Sequence, residues 1–386
     1  IFGVFLVMAS SQHLAESLNI SSHHFTIRHL LFGSLSIPII IFFSILNERQ
    51  IKIFCILGLL ICISLLLFIL IGGERIKGAQ RWFYIGGFSF QPSEVCKPFF
   101  VIFNAWILSL WVEKSMSAAW MWSITSIIII STLLLLQPDL GMTLIMIFTW
   151  GFQLFITGIP LMIILLLILA FPIFMIFAYQ NFTHVKIRID NFIEGKAYQV
   201  SKSLQSFESG GFWGKGPGEG FYKKSLPDAH SDFVFAVAAE EYGVLICCVI
   251  ITIYCLIILR SFLYTLKINN LFFVLSISGL AFQFGFQSLI HIASNTDLIP
   301  TKGMTLPFLS YGGSSVLASG ISAEDSLKDL DDLVEDNKFI KPRLVSNSEE
   351  NKSNTIKHDF SKNISSKQAD LEEFLSKEVN NVLLDR

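Results

Sequence analysis

Apolar residues in this chain arrive in long uninterrupted blocks, divided by short polar segments, and each block has about the length of a helix that crosses a bilayer. Runs at 29–46, 53–71, 95–112, 118–136, 141–158, 159–179, 233–260 and 270–293 each approach the roughly 20 residues that a hydrocarbon core requires. Shorter runs at 1–10 and 304–322 bring the expectation to about ten spans. Inside lipid a backbone N–H or C=O has no water to bond, so the spans are read as helices and the fold class as an all-α polytopic membrane protein. The block at 1–10 reads as the end of a short first span, and no separate cleavable signal peptide is expected there.

Composition excludes a soluble domain: 53% of the residues are hydrophobic, 37 are Phe, and the mean hydropathy is +0.61. The six cysteines (Cys55, Cys62, Cys96, Cys247, Cys248 and Cys255) lie in or beside apolar blocks without metal-ligand spacing, so they read as packing residues. Beyond Ser322 the chain turns polar. Residues 323–386 are therefore expected to form a disordered tail, distinct from a membrane domain at 1–322. Leu371, Phe374, Leu375, Val379 and Val382 near its end have nearly helical spacing.

The formal net charge is only -2, but the basic residues are unevenly placed. One set of short loops carries Arg49, Lys52, Lys114, Arg260 and Lys267. The opposite set carries Arg75, Lys77, Arg81 and a long segment, about 181–232, with Lys186, Arg188, Lys196, Lys202, Lys215, Lys223 and Lys224. Charge bias has little force for so long a loop and leaves the orientation open. Basic residues beside glycines at helix mouths would suit an anionic headgroup such as a pyrophosphate; plain solvation of loop lysines is the alternative.

Four segments depart from the apolar background. In 72–98, Pro92 and Ser93 mark a helix start, and Glu94 and Lys97 are spaced to share a face. They form either a helix-terminus ion pair or part of a polar cavity. In 137–141, QPDLG, Asp139 reads as a cap or a site residue. In 206–233, the glycine-rich run from Gly210 to Gly218 offers backbone N–H groups to phosphate or sugar oxygens, and Asp228, His230 and Asp232 lead into a helix bearing Glu240 and Glu241. The fourth, 295–315, contains Pro300, Lys302, Gly303 and Pro307. Polar, non-helical backbone at membrane level survives where it lines a cavity, so the four should converge on one hydrated site. HExxH, GxSxG and Walker patterns are absent from the sequence.

Taken in order, these segments resemble the SEDS family (shape, elongation, division and sporulation), over about residues 1–321. The resemblance rests on Gly78-Ala79-Gln80-Arg81-Trp82; on Gln91-Pro92-Ser93-Glu94 with Lys97; on Gln137 to Gly141; and on Arg188, Tyr198-Gln199 and Ser209-Gly210-Gly211. It continues through Leu226 to Phe233, where the family more usually reads LPEAHTDF, so that Asp228 replaces Glu and Ser231 replaces Thr. Lys202 stands where the family often has Gln. Residues 300–315, PTKGMTLPFLSYGGSS, look like the family's cell-division branch rather than its rod-shape branch.

The resemblance implies a peptidoglycan glycosyltransferase of the cytoplasmic (inner) membrane, acting at the division septum, with the large loop facing outward. It would polymerise lipid II into β-1,4 glycan by an inverting displacement, with Asp232 as base. Arg81, Glu94, Lys97, Arg188, His230 and Lys302 are the implied substrate-binding residues. Among the basic ones Arg81, Lys97 and Arg188 would meet the leaving pyrophosphate, and Glu94 would orient Lys97. Asp139 and Glu240 are secondary candidates, and for these two and His230 a structural role is the alternative. A divalent cation, Mg or Mn, could be bound by Asp232. The implied partner is a single-pass class B penicillin-binding protein, and no nucleic acid is expected. A lipid II flippase would use the same polar pocket, although its charges would sit near the bilayer midplane rather than at span ends. An inactive division scaffold is the third reading, because the last span turns polar at Glu324.

Overall fold

The computed structural model describes residues 2–73, 80–85, 88–195, 197–301 and 303–319. Lys302 and the tail at 323–386 lie outside the described residues, as do Arg75 and Lys77. The described residues belong to a single compact unit, which spans Ile1–Asp331.

The chain folds as α1 (Phe2–Ser17), α2 (His24–Ile45), α3 (Glu48–Gly72), a short hairpin of β1 (Phe83–Ile85) and β2 (Phe88–Phe90), α4 (Pro92–Lys114), α5 (Ser117–Leu136) and α6 (Leu140–Ile156). It continues through α7 (Leu161–Asn181), α8 (Thr183–Ile193), α9 (Tyr198–Gly210), a single 3-10 turn (Tyr222–Lys224), α10 (Val234–Thr265) and α11 (Leu271–Asn295). A further helical run begins at 313. Among the described residues, α2, α3, α4, α5, α10 and α11 are long and apolar enough to cross a membrane. With α1, α6, α7 and the run from 313 they make a bundle of about ten spans. The protein is an all-α, multi-pass membrane protein.

The expected loop at 181–232 contains two helices. Because α8 and α9 are short and charged they fail the apolar-block test, yet α9 buries Val200, Ser203, Ser206 and Gly210 at the three-to-four spacing of one helix face.

Short connections dictate an up-and-down path. Residues 46–47, 115–116, 157–160 and 266–270 turn at one end of the bundle. The described residues of 18–23, 73–91, 137–139, 182–233 and 296–312 therefore lie at the other. All four unusual segments fall in this second set, so topology alone gathers them.

The block expected at 233–260 is not one uninterrupted span. At Gly243 (φ 77, ψ 177) α10 breaks, and the backbone groups released there are repaired by the glycine-rich loop. Val244 N and Leu245 N donate to Gly211 O and Phe212 O, while Lys215 N and Gly216 N donate to the freed carbonyls of Glu240 and Glu241. This exchange satisfies an interruption that lipid would not tolerate unpaired. It also corrects the expectation that the glycine run offers N–H groups to a phosphate, because those of Gly211, Gly214, Lys215 and Gly216 are taken by backbone carbonyls. Close approach is the reason for glycine: a Cβ on Gly210 would lie 1.9 Å from Ala239 O.

Deep in the bundle, Asn104 Nδ2 donates to Gln153 Oε1 (2.9 Å), Ser123 Oγ to Asn104 Oδ1 (2.6 Å), and Trp150 Nε1 to Ser123 Oγ (2.9 Å). Gln153 Nε2 donates to Val101 O and Leu275 O, so this network ties α4, α5, α6 and α11 together. Interhelical bonds in membranes average about 0.6 kcal/mol each, and a buried amide left unpaired costs about 1–3 kcal/mol. Gln153→Met, which strands the Asn104 amide, is expected to destabilise the fold by about 2 kcal/mol. Thermal unfolding in detergent checks this; a melting temperature equal to wild type would remove the network from the account of stability.

Candidate active site

A cavity of about 750 Å³ opens among the gathered segments, lined in part by Arg28, Arg81, Glu94, Asp139, Arg188 and Asp232. Each is placed by a different element.

Asp232 ends the turn that starts at Asp228, whose carbonyl accepts from Ser231 N and Asp232 N. Asp228 has φ 55, a left-handed geometry that Asp and Asn tolerate better than other side chains. Asn295, fully buried at the end of α11, fixes this turn from behind. Its Nδ2 donates to Asp232 O (3.0 Å) and its Oδ1 accepts from Ala236 N (3.3 Å). In front, Gly303 packs so closely that a Cβ there would lie 3.0 Å from Asp232 Oδ2. The Asp232 carboxylate is thereby held at the cavity wall, half-buried.

Arg81 is held by the QPDLG turn. Its Nε donates to Gln137 O (3.3 Å), its Nη2 to Pro138 O, and its Nη1 lies 3.6 Å from Asp139 Oδ1. Asp139 also caps α6 by accepting from Met142 N (3.3 Å), and it lines the cavity as well. Arg188 projects from α8. Burial lowers its pKa, and the neighbouring Arg81 lowers it further, while Asp139 and Asp232 oppose the shift. Two guanidiniums in one desolvated place repel one another, and such a place favours an arriving anion.

The Glu94–Lys97 pair is buried, with Lys97 Nζ 2.7 Å from Glu94 Oε2. Its order is the reverse of the expected one: Glu94 lines the cavity, and Lys97 lies behind it, facing a much smaller cavity. Lys97 is thus not on the wall of the large cavity. His230 is buried, with its ring against Phe25 and Tyr311 at centroid distances of 5.0 and 5.3 Å. Tyr311 N donates to His230 O (2.9 Å), and burial raises the Tyr311 phenol while its hydrogen bond with Arg28 opposes this.

Glu240 lies away from the cavity. Its carboxylate accepts from the backbone N–H groups of Phe221 (2.7 Å), Tyr222 (2.7 Å) and Lys223 (3.0 Å), and Glu241 pairs with Lys223. The crowd of acids at the mouth of α10 is thus divided between a cavity wall, at Asp232, and loop construction, at Glu240 and Glu241.

Among the described residues no group of three or more His, Cys, Asp or Glu side chains could hold a metal ion. Asp232 would offer such an ion one carboxylate, with its other ligands drawn from water and substrate phosphates.

Arg28 went unread in the sequence, although it is the only Lys or Arg in the first 46 residues and adjoins an apolar block. Gln287, His291 and Asn295 were missed as well, yet their four-residue spacing through the end of an apolar block places three polar side chains on one helix face.

A second, apolar cavity of about 360 Å³ lies alongside. It is lined by residues such as Leu144, Phe171, Met175 and Phe286, and it shares Pro138, Arg188 and Thr301 with the polar one. A polar cavity thus adjoins an apolar one, with Arg188 on the wall of both.

Comparison with known proteins identifies the family. The chain is 34% identical to "Probable peptidoglycan glycosyltransferase FtsW" of Caulobacter vibrioides over 327 residues, covering 83% of each. It is 32% identical to the protein of the same name from Aliivibrio salmonicida, again covering 83% of each. Among solved structures it is similar to rod shape determining protein RodA of Thermus thermophilus (TM-score 0.57, 25% identity, covering 85% of this chain and 95% of that one). It also shares its fold with a chain from work described as "Structural coordination of polymerization and crosslinking by a peptidoglycan synthase complex" (TM-score 0.68, 24% identity, covering 88% and 98%). Residues 1–324 match the family FTSW_RODA_SPOVE, described as a cell cycle protein. The motif order, the gathering of those motifs at one end of the bundle and these matches agree: the chain belongs to the FTSW_RODA_SPOVE family.

Proposed function

We propose that this protein is a peptidoglycan glycosyltransferase that polymerises lipid II into β-1,4 glycan strands, with the cavity end of the bundle facing away from the cytoplasm. The observation that carries the reading is that Arg188 and Arg81, both half-buried, line one cavity with Asp232, and that this cavity adjoins an apolar slot. The names of the relatives support it.

The donor's pyrophosphate meets Arg81 and Arg188, and its polyprenyl tail follows the apolar slot. Asp232 takes the proton from the acceptor sugar's 4-hydroxyl as that oxygen bonds to the donor's anomeric carbon. The bond from that carbon to the pyrophosphate oxygen breaks on the opposite face, its electron pair leaves with the polyprenyl pyrophosphate, and the fixed guanidiniums stabilise the charge that develops there. One displacement inverts the α-linked donor to a β-linked product.

By the same reading the enzyme works at the division septum beside a class B penicillin-binding protein, which cross-links the new strand. The polar tail at 323–386 is a cytoplasmic appendage to the catalytic membrane domain.

The test is to reconstitute the full chain with its transpeptidase partner, supply labelled lipid II, and separate the products by size. Polymer is expected. No polymer, together with transfer of lipid II across sealed vesicles, would reject the glycosyltransferase in favour of a transporter.

A further inference from the structure

Gln287 lies in α11, buried and outside the lining of the large cavity, yet it joins the buried Glu94–Lys97 pair to the segment that packs against Asp232. Its Oε1 accepts from Lys97 Nζ at 2.5 Å. Its Nε2 donates to Thr305 O at 2.9 Å, and Thr305 Oγ1 is in turn 2.6 Å from Ser315 Oγ. One end of this link is the Glu94–Lys97 pair at the start of α4, of which Glu94 lines the large cavity. The other is the 303–305 segment, where Gly303 packs against the Asp232 carboxylate.

The side chain at this position has to accept at one end and donate at the other. An ammonium only donates and a carbonyl only accepts, so a primary amide fits with its oxygen toward Lys97 and its nitrogen toward Thr305. A glutamate would hold Lys97 but set a carboxylate against the Thr305 carbonyl. A methionine would fill the space and make neither bond. The bonding need is acute because the group is buried, where an unmade polar contact is costly. One turn further along α11, His291 Nδ1 donates to Met304 O at 2.6 Å, so the segment remains attached to the helix when Gln287 is altered.

We propose that Gln287 is a positioning residue for glycosyl transfer, which sets the Glu94–Lys97 pair in register with the segment that supports Asp232. The proposal rests on the glycosyltransferase reading. It assigns Gln287 no contact with substrate, so its loss should slow the reaction without weakening substrate binding.

Gln283 supplies the control. It borders the same small cavity as Lys97 and Gln287, but its Oε1 has no hydrogen-bond partner among the described residues. The experiment measures initial rates of glycan formation against lipid II concentration for wild type, Gln287→Met, Gln287→Glu and Gln283→Met. Each full chain is reconstituted with the transpeptidase partner, and rates are expressed per folded molecule from size-exclusion and thermal-unfolding measurements.

Misplacement of groups around a reacting centre by about 1 Å can cost about 100-fold. Both Gln287 variants are expected to lose about 10- to 100-fold in kcat with KM within about two-fold of wild type, and Gln283→Met is expected to match wild type. Unchanged kcat per folded molecule in Gln287→Met would overturn the proposal. So would full activity in Gln287→Glu, which keeps only the Lys97 contact, or a loss confined to KM. An equal loss in Gln283→Met would reduce Gln287 to general packing and also overturn it. If wild type itself forms no polymer, the glycosyltransferase reading falls first and takes this proposal with it; a polymerising wild type with a fully active Gln287→Met removes the proposal alone.

Discussion

Asp232→Asn is expected to abolish most glycan formation while leaving the protein folded and inserted. The substitution keeps the size of the side chain, so it fits the space in front of Gly303. It also leaves untouched the main-chain carbonyl that accepts from Asn295. What it removes is the proton acceptor. A positioned general base contributes about 10²- to 10⁴-fold to a rate, or about 3–5 kcal/mol of transition-state stabilisation. The loss should appear in kcat, with lipid II still bound, since in the proposed mechanism the pyrophosphate is held by Arg81 and Arg188. Polymerisation from labelled lipid II, paired with binding of the same substrate, checks both halves. Turnover equal to wild type would exclude Asp232 as the base and leave the cavity without an assigned proton acceptor.

The largest structural effect is expected from Gly243→Ala, a single methyl group far from the proposed chemistry. The backbone there, at φ 77 and ψ 177, lies in a region open almost only to glycine, and an alanine would carry about 1–3 kcal/mol of strain. The added Cβ would also lie 2.3 Å from Phe212 O and 2.6 Å from Gly214 N, so the loop has to move away. Moving it breaks the exchange in which Gly211, Phe212, Lys215 and Gly216 satisfy the interrupted backbone of α10. Each buried backbone group left unpaired costs about 1–3 kcal/mol. The total is expected to exceed about 3 kcal/mol, enough to lower the melting temperature sharply and to expose the 211–216 loop to protease. Gly33→Ala is the control: a Cβ added there would meet no atom within 4 Å, and alanine suits the interior of α2 better than glycine does. Equal melting of Gly243→Ala and wild type would mean that the break in α10 does not depend on this loop.

The two variants mark different sources of information. Asp232 was legible because a charged cluster at the mouth of an apolar block has few bland explanations and because the segments around it carry a recognisable order. Gly243 was not, because a lone glycine inside an apolar run does not announce a break. The partner that makes the break tolerable lies some thirty residues earlier in the chain, at 211–216.

The sequence by itself determined the class of the protein, its helical spans and the identity of the segments that meet. Block length against bilayer thickness requires helices, and short connections between them send every unusual segment to the same end. Only the tertiary structure decided how those segments share their work. It set Glu94 before Lys97, gave Arg81 to the QPDLG turn, consumed Glu240 in three backbone hydrogen bonds, and brought Gln287 and Asn295 into the support of the site. The physical reason is that span formation depends on local apolar length, whereas the partner of a buried polar atom is fixed by where distant helices pack. Gln287 lies 190 residues from Lys97, and no local pattern encodes that meeting.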